Sequence, residues 1–298
     1  MRIDGKAIAD GILQNLRAQV SALKQHGVTP TLAVIQVGDD PVSTAYIRQK
    51  QKAAEQIGAK IILSHQLLAR NATHSVAGGS SISNQQLHKI IETFNSDLSV
   101  HGIIVQRPLP DALLASNILL SKDVDGFLPG SPYLVPVAAA VITILEEVHR
   151  LTGLNPVINR VQPLQSGFQD WLRQQSIVVI GRGETAGKPI ANALLKLGCR
   201  LTIIHSQTPQ PDEIMRKADI LISCVGKPNV VRRDNIKEGV ILISVGISRD
   251  SAGKLHGDYE EDEIKDLASF YTSTPGGVGP INVAFLMDNL VKAASKLL

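Results

Sequence analysis

The stretch Ser176–Pro189, SIVVIGRGETAGKP, decides the fold of this chain. A short β-branched run, Ile177–Ile180, leads into three closely spaced glycines and then into a helical pattern. This order is typical of dinucleotide-binding folds, because glycines let the backbone approach a pyrophosphate and a helix N-terminus offers unpaired N–H groups to the anion. The residues predicted to contact a dinucleotide cofactor in this turn are Gly181, Arg182, Gly183 and Gly187.

A nucleoside-triphosphate loop is the competing interpretation of the same glycines. That loop needs a glycine where this chain has Arg182, and a hydroxyl where it has Pro189. The sequence therefore excludes a nucleoside triphosphatase of this type.

The next predicted strand, residues 201–204, is followed by His205-Ser206-Gln207-Thr208. An NAD-selective fold usually places a carboxylate here for the ribose 2′-hydroxyl, and this segment has none. The Arg182 guanidinium and the Ser206 hydroxyl suit a 2′-phosphate instead, because arginine donates charge-assisted hydrogen bonds to phosphate oxygens. We predict NADP as the cofactor, and the preference over NAD depends on these two residues.

Strand and helix patterns alternate on both sides of this stretch, which indicates parallel sheets joined by helical crossovers. The predicted strands are 32–37, 60–63, 102–106, 176–180, 201–204, 220–224 and 240–245, and the predicted helices are 7–25, 41–57, 84–95, a long helix from 135, and 281–297. We therefore predict an α/β protein of two α/β domains, the C-terminal one a Rossmann-type parallel sheet, with an interdomain cleft. Residues 151–175 are predicted to be an irregular connector and 77–81 a flexible loop.

A second glycine cluster, PGGVGP, occupies residues 275–280. Three glycines between two prolines favour a restricted backbone that passes very close to another group. We predict that Pro275, Gly276 and Gly277 form part of the wall of a ligand site.

Asp40 and Pro41 are helix start signals, and Gly58 is a helix end signal. Ser43, Tyr46 and Lys50 share one face of the predicted helix between them. An aromatic hydroxyl beside an ammonium suits proton transfer on a flat, conjugated substrate. Ordinary packing of the tyrosine with a solvated lysine is the alternative.

The composition limits the possible function classes. The chain has 298 residues, 44% of them hydrophobic and 19% charged, as in a soluble globular protein with room for two domains. Aromatic residues make up 3% and the net charge is +3 without a long basic run, which argues against a nucleic-acid surface. Cys199 and Cys224 have no metal-binding spacing, and neither a signal-peptide core nor a membrane span is recognisable. We expect a cytoplasmic enzyme that binds neither metal, nucleic acid nor membrane.

The chain resembles the bifunctional methylenetetrahydrofolate dehydrogenase/methenyltetrahydrofolate cyclohydrolase family over nearly its whole length. The motifs that carry this resemblance are Asp4-Gly5-Lys6; Gly38 with Ser43, Tyr46, Lys50 and Lys52; Val100–Gln106; Lys122–Gly126; Gly181-Arg182; His205-Ser206; Gly246-Ile247; and Pro275–Pro280. The resemblance implies an NADP-dependent oxidoreductase step of one-carbon metabolism, from 5,10-methylenetetrahydrofolate to its methenyl derivative. It also implies a hydrolase step from that derivative to 10-formyltetrahydrofolate, tetrahydrofolate derivatives as ligands, and a homodimer.

The resemblance also implies a role for individual residues. Lys50 would transfer the proton, Tyr46 would pack on the folate rings, and Gln106 would hydrogen-bond the lysine. Asp125 would hold the pterin, and Ile247 would contact the cofactor. Because a lysine titrates at about 10.4 in water, Lys50 would need burial or a cationic neighbour to act as a base near neutrality. Residues 1–148 with 280–298 would form the folate-binding catalytic domain, and 149–279 the NADP-binding Rossmann domain.

Several positions depart from the family pattern. They are Val137–Val141 in place of Cys-Thr-Pro-x-Gly, Arg107 in place of an apolar residue, Gly183 in place of serine, Ser244 in place of aspartate, Thr272–Pro275 in place of Thr-Pro-Val-Pro, and a longer connector. Two alternatives therefore stay open at this point. One is a relative that binds folate with reduced catalysis, and the other is a shikimate-type two-domain dehydrogenase.

Overall fold

A computed structural model describes residues 1–66, 84–107, 117–153 and 166–296. Its strands are β1 Arg2–Ile3, β2 Thr31–Val37, β3 Lys60–Gln66, β4 Gly102–Val105, β5 Ile177–Ile180, β6 Leu201–Ile204, β7 Ile220–Ser223, β8 Ile241–Ser244, β9 Ser248–Arg249, β10 Leu255–His256 and β11 Phe270–Thr272. Its α-helices are α1 Gly5–Gln25, α2 Pro41–Ile57, α3 Asn84–Ser96, α4 Pro136–Leu151, α5 Ser166–Gln174, α6 Gly187–Lys196, α7 Pro211–Met215, α8 Glu261–Ile264 and α9 Val278–Ser295. No helix in these ranges is long and apolar enough to span a bilayer.

Contacts between Cα atoms divide the chain into two units. The six-stranded unit comprises Met1–Ala9 and Val137–Asn282, and the three-stranded unit comprises Asp10–Pro136 and Val283–Leu298. Each unit contains a parallel sheet with helices, which confirms the predicted two-domain α/β class. The contact boundaries fall inside α1, α4 and α9.

The six-stranded unit has the strand order β1-β11-β8-β7-β5-β6, with every neighbouring pair parallel. Its central strands β5, β7 and β8 are buried along their whole length, as expected for a parallel sheet covered on both faces. Val178, Leu221 and Leu242 lie on one face of these strands and share a core with Ile264 of α8. The predicted Rossmann-type sheet is therefore confirmed.

The three-stranded unit has β2 at its centre, between β3 and β4. Residues 31–36 of β2 are all buried. Ile35 pairs with Val105 of β4, and both belong to a core that includes Leu87 and Ile91 of α3. Because β2 and β4 are parallel, the segments that follow Val37 and Val105 leave the sheet at the same edge. Two of the predicted site segments begin there.

The sequence analysis missed β1, which pairs with β11 in the register Arg2↔Tyr271 and Ile3↔Thr272. This pairing explains why residues 1–9 make their contacts with the six-stranded unit. The prediction assigned residues 1–148 to the first domain and placed the second boundary at 279/280, whereas the contact boundaries are 136/137 and 282/283. Strand β1 has only two residues, which is too few to show a strand pattern in the sequence, so it is recognised only by its pairing with β11.

The predicted irregular connector was wrong for Ser166–Gln174, which form α5. Phe168 and Leu172 of this helix are buried, and the rings of Phe168 and Trp171 lie 5.8 and 5.2 Å from the ring of His149. Phe168, Trp171 and Leu172 have the i, i+3, i+4 spacing of an amphipathic helix, a signal that was present in the sequence and was overlooked. The predicted loop at 77–81 lies outside the described residues.

Glu146 of α4 is half-buried, and burial raises the pKa of its carboxyl to about 7 from an ordinary 4.5. Between these two values the folded chain holds a proton that the unfolded chain releases, so the free energy of unfolding falls as the pH rises. We expect Glu146→Gln to raise the free energy of unfolding by on the order of 2 kcal/mol at pH 8 and to leave it nearly unchanged at pH 4. Urea unfolding at both pH values measures the difference. The exposed Glu238→Gln in the same unit is the matched control, and an equal effect in both variants would contradict the assignment.

Candidate active site

The N-terminus of α2 is fixed by its own capping residue. Asp40 accepts hydrogen bonds from the backbone N–H of Ser43 at 2.8 Å and from its hydroxyl at 2.7 Å. The Ser43 hydroxyl also lies 3.2 Å from the carbonyl oxygen of Arg107, in the segment that follows β4. These contacts confirm the helix start predicted at Pro41 and hold α2 beside the end of β4.

Lys50 and Gln106 form the centre of the candidate site. The Lys50 Nζ donates a hydrogen bond to Gln106 Oε1 at 2.8 Å. Gln106 Nε2 donates to the carbonyl oxygen of Arg107 at 3.1 Å, and this assignment of the amide turns its oxygen toward the lysine. The predicted Lys50–Gln106 pair is therefore present, and the amide orients the amine without adding a negative charge.

The pKa of Lys50 is lowered from 10.5 because burial removes water from its ammonium, while the charge of Asp125 opposes this effect. The pKa of Asp125 is raised by burial, and Lys50 and Arg107 oppose that rise. The lowered pKa increases the fraction of neutral amine near neutrality, which suits Lys50 to accepting a proton. Lys50, Gln106, Arg107 and Asp125 are called the amine cluster below.

Arg107 was not predicted to be a site residue and was noted only because the family usually has an apolar residue at this position. Its guanidinium carbon lies 4.7 Å from the centroid of the Phe127 ring, a cation–π distance, and its charge lowers the pKa of Asp125. Arg107 therefore takes part in the electrostatics of the amine cluster. No local sequence signal distinguishes this arginine from a solvated one.

The loop that carries Asp125 is shaped by the backbone next to it. Gly126 has φ +71°, and a Cβ at this position would lie 2.7 Å from the carbonyl oxygen of Tyr133. Asn289 of α9 is buried, and its Nδ2 donates to the carbonyl oxygens of Val124 at 2.8 Å and Leu134 at 2.9 Å. One amide thus fixes the chain on both sides of this loop, a role that the sequence analysis missed because Asn289 lies far away along the chain.

Neighbouring residues of the same motif are structural. The Lys122 Nζ donates to the last carbonyl oxygens around the end of α3, those of Phe94, Asn95 and Asp97. Asp123 is buried and accepts a hydrogen bond from the N–H of Leu128 at 2.9 Å, and burial raises the pKa of its carboxyl. These contacts leave Asp125 as the carboxylate of the amine cluster.

Tyr46 lies one turn before Lys50 on α2, and its side chain is half-buried. The helix places the two residues on one face, as predicted from their spacing. The ring therefore lies where it can offer a flat apolar surface next to the lysine amine.

The glycine turn after β5 belongs to the six-stranded unit. Gly181 has φ +99°, and its N–H donates to the carbonyl oxygen of Ile204 at 2.8 Å. A Cβ at Gly187, the first residue of α6, would overlap the carbonyl oxygen of Gly181. Within the described part of the chain, no atom lies within 4 Å of a Cβ built at Gly183. Packing therefore requires a glycine at 187 but not at 183. The open backbone at the start of α6 fits the pyrophosphate of a dinucleotide.

The segment after β6 forms a compact turn. The N–H of His205 donates to Thr208 Oγ1 at 2.9 Å, and the N–H of Thr208 donates to the carbonyl oxygen of His205 at 2.9 Å. Ile180 pairs with Ile204, so Arg182 and Ser206 each lie two residues beyond paired strand ends. Both side chains are exposed and so are accessible to a ligand. Their contact with a 2′-phosphate stays a prediction.

One glycine of the PGGVGP segment, Gly277, lies against protein backbone. A Cβ at Gly5, the first residue of α1, would overlap the carbonyl oxygen of Gly277, and a Cβ at Gly277 would lie 2.6 Å from the carbonyl oxygen of Ser273. The predicted close approach of this segment to another group is therefore found at Gly277. The groups that it approaches are the start of α1 and the backbone of Ser273 in its own turn. Contact of Pro275, Gly276 and Gly277 with a substrate stays a prediction. The helix after this segment begins at Val278, three residues before the predicted start.

Comparisons with known proteins find relatives over nearly the whole chain. Residues 3–125 match the catalytic domain of the tetrahydrofolate dehydrogenase/cyclohydrolase family, and residues 161–298 match its NAD(P)-binding domain. The bifunctional protein FolD of Bacillus pumilus is 38% identical over 308 residues, which cover 99% of this chain and 98% of that protein. The crystal structure of the bifunctional methylenetetrahydrofolate dehydrogenase/cyclohydrolase FolD from Campylobacter jejuni superposes with a TM-score of 0.86 at 34% identity, covering 100% of this chain and 99% of that one. The Trypanosoma brucei enzyme, complexed with NADP cofactor and inhibitor, gives a TM-score of 0.83 at 28% identity, covering 100% and 98%.

Proposed function

The chain belongs to the tetrahydrofolate dehydrogenase/cyclohydrolase family, and from this premise we propose that it oxidises 5,10-methylenetetrahydrofolate and hydrolyses the methenyl product to 10-formyltetrahydrofolate. The observation that carries the proposal is the 2.8 Å contact between Lys50 Nζ and Gln106 Oε1 beside Asp125. The Campylobacter jejuni relative, whose name gives both activities and which matches the whole of this chain, supports it over a shikimate-type dehydrogenase.

NADP⁺, when bound, accepts the hydride from the methylene carbon. The glycine turn at 181–187 would hold its pyrophosphate, and Arg182 and Ser206 would hold its 2′-phosphate. The remaining predicted contact, Ile247, follows β8 at the same edge of the sheet. Since hydride transfer needs little acid–base help, positioning by these residues supplies most of its rate.

Hydrolysis of the methenyl cation depends on the amine cluster. Water adds to the methenyl carbon and gives up a proton to the neutral amine of Lys50. The resulting ammonium returns this proton to the pterin N5 as the bond from that nitrogen to the carbon breaks. The hydroxyl proton of the adduct leaves to solvent as the formyl C=O bond forms. The cationic substrate lowers the pKa of Lys50 further, and Gln106 keeps the amine oriented during both transfers. Asp125 accepts hydrogen bonds from the pterin N–H groups, and Tyr46 packs on the ring.

Two absorbance assays on the purified chain test the proposed function. Methylenetetrahydrofolate with NADP⁺ is expected to produce NADPH, and the methenyl derivative is expected to disappear faster than without protein. Tight folate binding by calorimetry with neither turnover would identify a binding protein instead. Absence of both binding and turnover would remove the proposal altogether.

The choice of NADP over NAD is proposed to depend on Arg182. A charge-assisted hydrogen bond contributes roughly 1.5 to 3 kcal/mol, so we expect Arg182→Ala to raise the KM for NADP⁺ about 10- to 100-fold and to leave that for NAD⁺ nearly unchanged. Initial rates with both cofactors measure this. Arg200→Ala removes an exposed arginine at the opposite end of β6 and serves as the control. Equal losses with the two cofactors would assign the 2′-phosphate to other residues.

We also propose a homodimer formed along β6. This strand lies at the edge of the six-stranded sheet, and Ile203 on it and Leu195 on α6 are 40% and 53% exposed. A free apolar strand edge favours pairing with a second copy. Sedimentation equilibrium should give twice the chain mass for the wild type and a reduced mass for Ile203→Lys, and a monomeric wild type would contradict the proposal.

The free thiols of Cys199 and Cys224 support a reducing, cytoplasmic setting.

A further inference from the structure

We propose that Asp258 is a positioning residue for the dehydrogenase reaction, because its buried carboxylate holds together two loops that would receive the nicotinamide half of the cofactor. The inference rests on the proposed function and adds a residue to it. Asp258 lies between β10 and α8, outside the turns that follow β5 and β6.

The first loop follows β7 and wraps the carboxylate. Asp258 has no exposed surface, and it accepts hydrogen bonds from the N–H of Val225 at 3.2 Å and of Lys227 at 3.0 Å. Gly226 between them has φ +66°. Successive N–H groups turned toward one anion form a backbone nest, and here the anion is a side chain of the same protein. Among the described residues no lysine or arginine forms an ion pair with Asp258, so these N–H groups are its stabilising partners.

The second loop follows β8 and lies against the same carboxylate. A Cβ at Gly246 would overlap the N–H of Gly226 and both carboxylate oxygens of Asp258. A Cβ at Gly226 would in turn lie 3.0 Å from the carbonyl oxygen of Ile247. The two loops therefore pack backbone to backbone around the carboxylate. Ile247, a predicted cofactor contact, lies in this arrangement, so its position depends on Asp258.

The backbone of Asp258 is itself tied to neighbouring segments. Its N–H donates to the Ser244 hydroxyl at 3.0 Å, and its carbonyl oxygen accepts from the N–H groups of Val230 and Val231 at 3.0 and 3.1 Å. A Cβ at the preceding Gly257 would lie 2.7 Å from Ser244 Oγ. These contacts fix the backbone of Asp258 beside the end of β8, and this fixes the position of its carboxylate.

The sheet order explains why these loops matter for hydride transfer. Ligands of parallel sheets bind beyond the carboxyl ends of the strands, and β5, β7 and β8 are neighbours in this sheet. The glycine turn for the pyrophosphate follows β5, so the loops after β7 and β8 are the next surfaces along the same edge. A displacement of about 1 Å can cost a hydride-transfer rate roughly 10²-fold. Because its oxygens face backbone N–H groups, Asp258 acts through the loops.

The test compares two reactions of the same protein. Asp258→Asn replaces one acceptor oxygen by a donor that faces a backbone N–H, and Gly246→Ala intrudes on the carboxylate without changing its charge. We expect both variants to lower dehydrogenase kcat/KM roughly 10- to 100-fold and to keep cyclohydrolase activity within about twofold. Calorimetry should show weaker binding of NADP⁺ and unchanged binding of 2′,5′-ADP, which lacks the nicotinamide half.

Asp219→Asn is the matched control, because Asp219 accepts the N–H of Ser176 at 2.7 Å near the opposite end of β7. This variant should lose stability and keep the wild-type ratio of the two activities. An unchanged ratio in both Asp258→Asn and Gly246→Ala, or a parallel loss of both activities, would overturn the positioning role. A wild-type chain without turnover would instead refute the proposed function, and the two calorimetric titrations would still decide the role of Asp258.

Discussion

Replacing Lys50 with methionine should lower the rate of methenyl hydrolysis by roughly 10²- to 10⁴-fold, the range expected when a general acid–base group is removed. Methionine keeps an unbranched side chain and removes the amine that donates to Gln106. Lys50 is half-buried on α2, a position that accepts an apolar side chain, so we expect folding and folate binding to persist. The dehydrogenase rate should fall by less than the hydrolase rate, because hydride transfer needs no proton carrier.

Arg48→Met provides the comparison for this variant. Arg48 is exposed on the same helix, two residues before Lys50, so its replacement changes the charge of α2 equally and leaves the amine cluster intact. Hydrolysis, corrected for the rate without protein, should be unchanged. Wild-type hydrolysis by Lys50→Met would show that another group carries the proton.

Replacing Gly187 with alanine should weaken NADP⁺ use by roughly 10²-fold, since displacements of about 1 Å have effects of this size. The new methyl group would overlap the carbonyl oxygen of Gly181, which is backbone and cannot rotate away. The turn must open, and the N–H groups at the start of α6 then lose their alignment toward the pyrophosphate. The KM for NADP⁺ in the dehydrogenase assay measures this effect, and hydrolysis of added methenyl substrate should continue.

Asn192→Ala is the internal control, because Asn192 is exposed on the same helix α6 and lies outside the glycine turn. Its KM for NADP⁺ should stay within about threefold of wild type, well below the effect of a displaced backbone. If both alanine variants behave alike, the turn does not bind the cofactor in the way proposed.

The sequence predicted those helices and strands whose signals lie within a few neighbouring residues. The β-branched run at 177–180 and the capping Asp40 fix β5 and the start of α2 within a few residues of sequence, so both were found. Strand β1 was missed because it forms only through its pairing with β11. Helix α5 was missed although Phe168, Trp171 and Leu172 have helical spacing, because it lies within a segment assigned as a whole to an irregular connector.

The same distinction applies to the candidate sites. Lys50 was selected by its spacing from Tyr46 on one helix face, and Gln106 and Asp125 were selected through family motifs. The structure brings the lysine and the glutamine into hydrogen-bond contact. Asn289 and Asp258 were not selected, since their importance arises from hydrogen bonds to backbone groups far away along the chain. A side chain that binds backbone leaves no pattern at its partner's position, so a single sequence cannot reveal it.

The most direct test of the account is the pKa of the Lys50 amine in the folded, full-length chain. Heteronuclear NMR of isotope-labelled lysine side chains, with the Lys50 signal assigned by its absence in Lys50→Met, gives this value by titration. Burial of the ammonium predicts a midpoint below the ordinary 10.5. A midpoint at or above 10.5 would contradict the claim that this site supplies a neutral amine for hydrolysis.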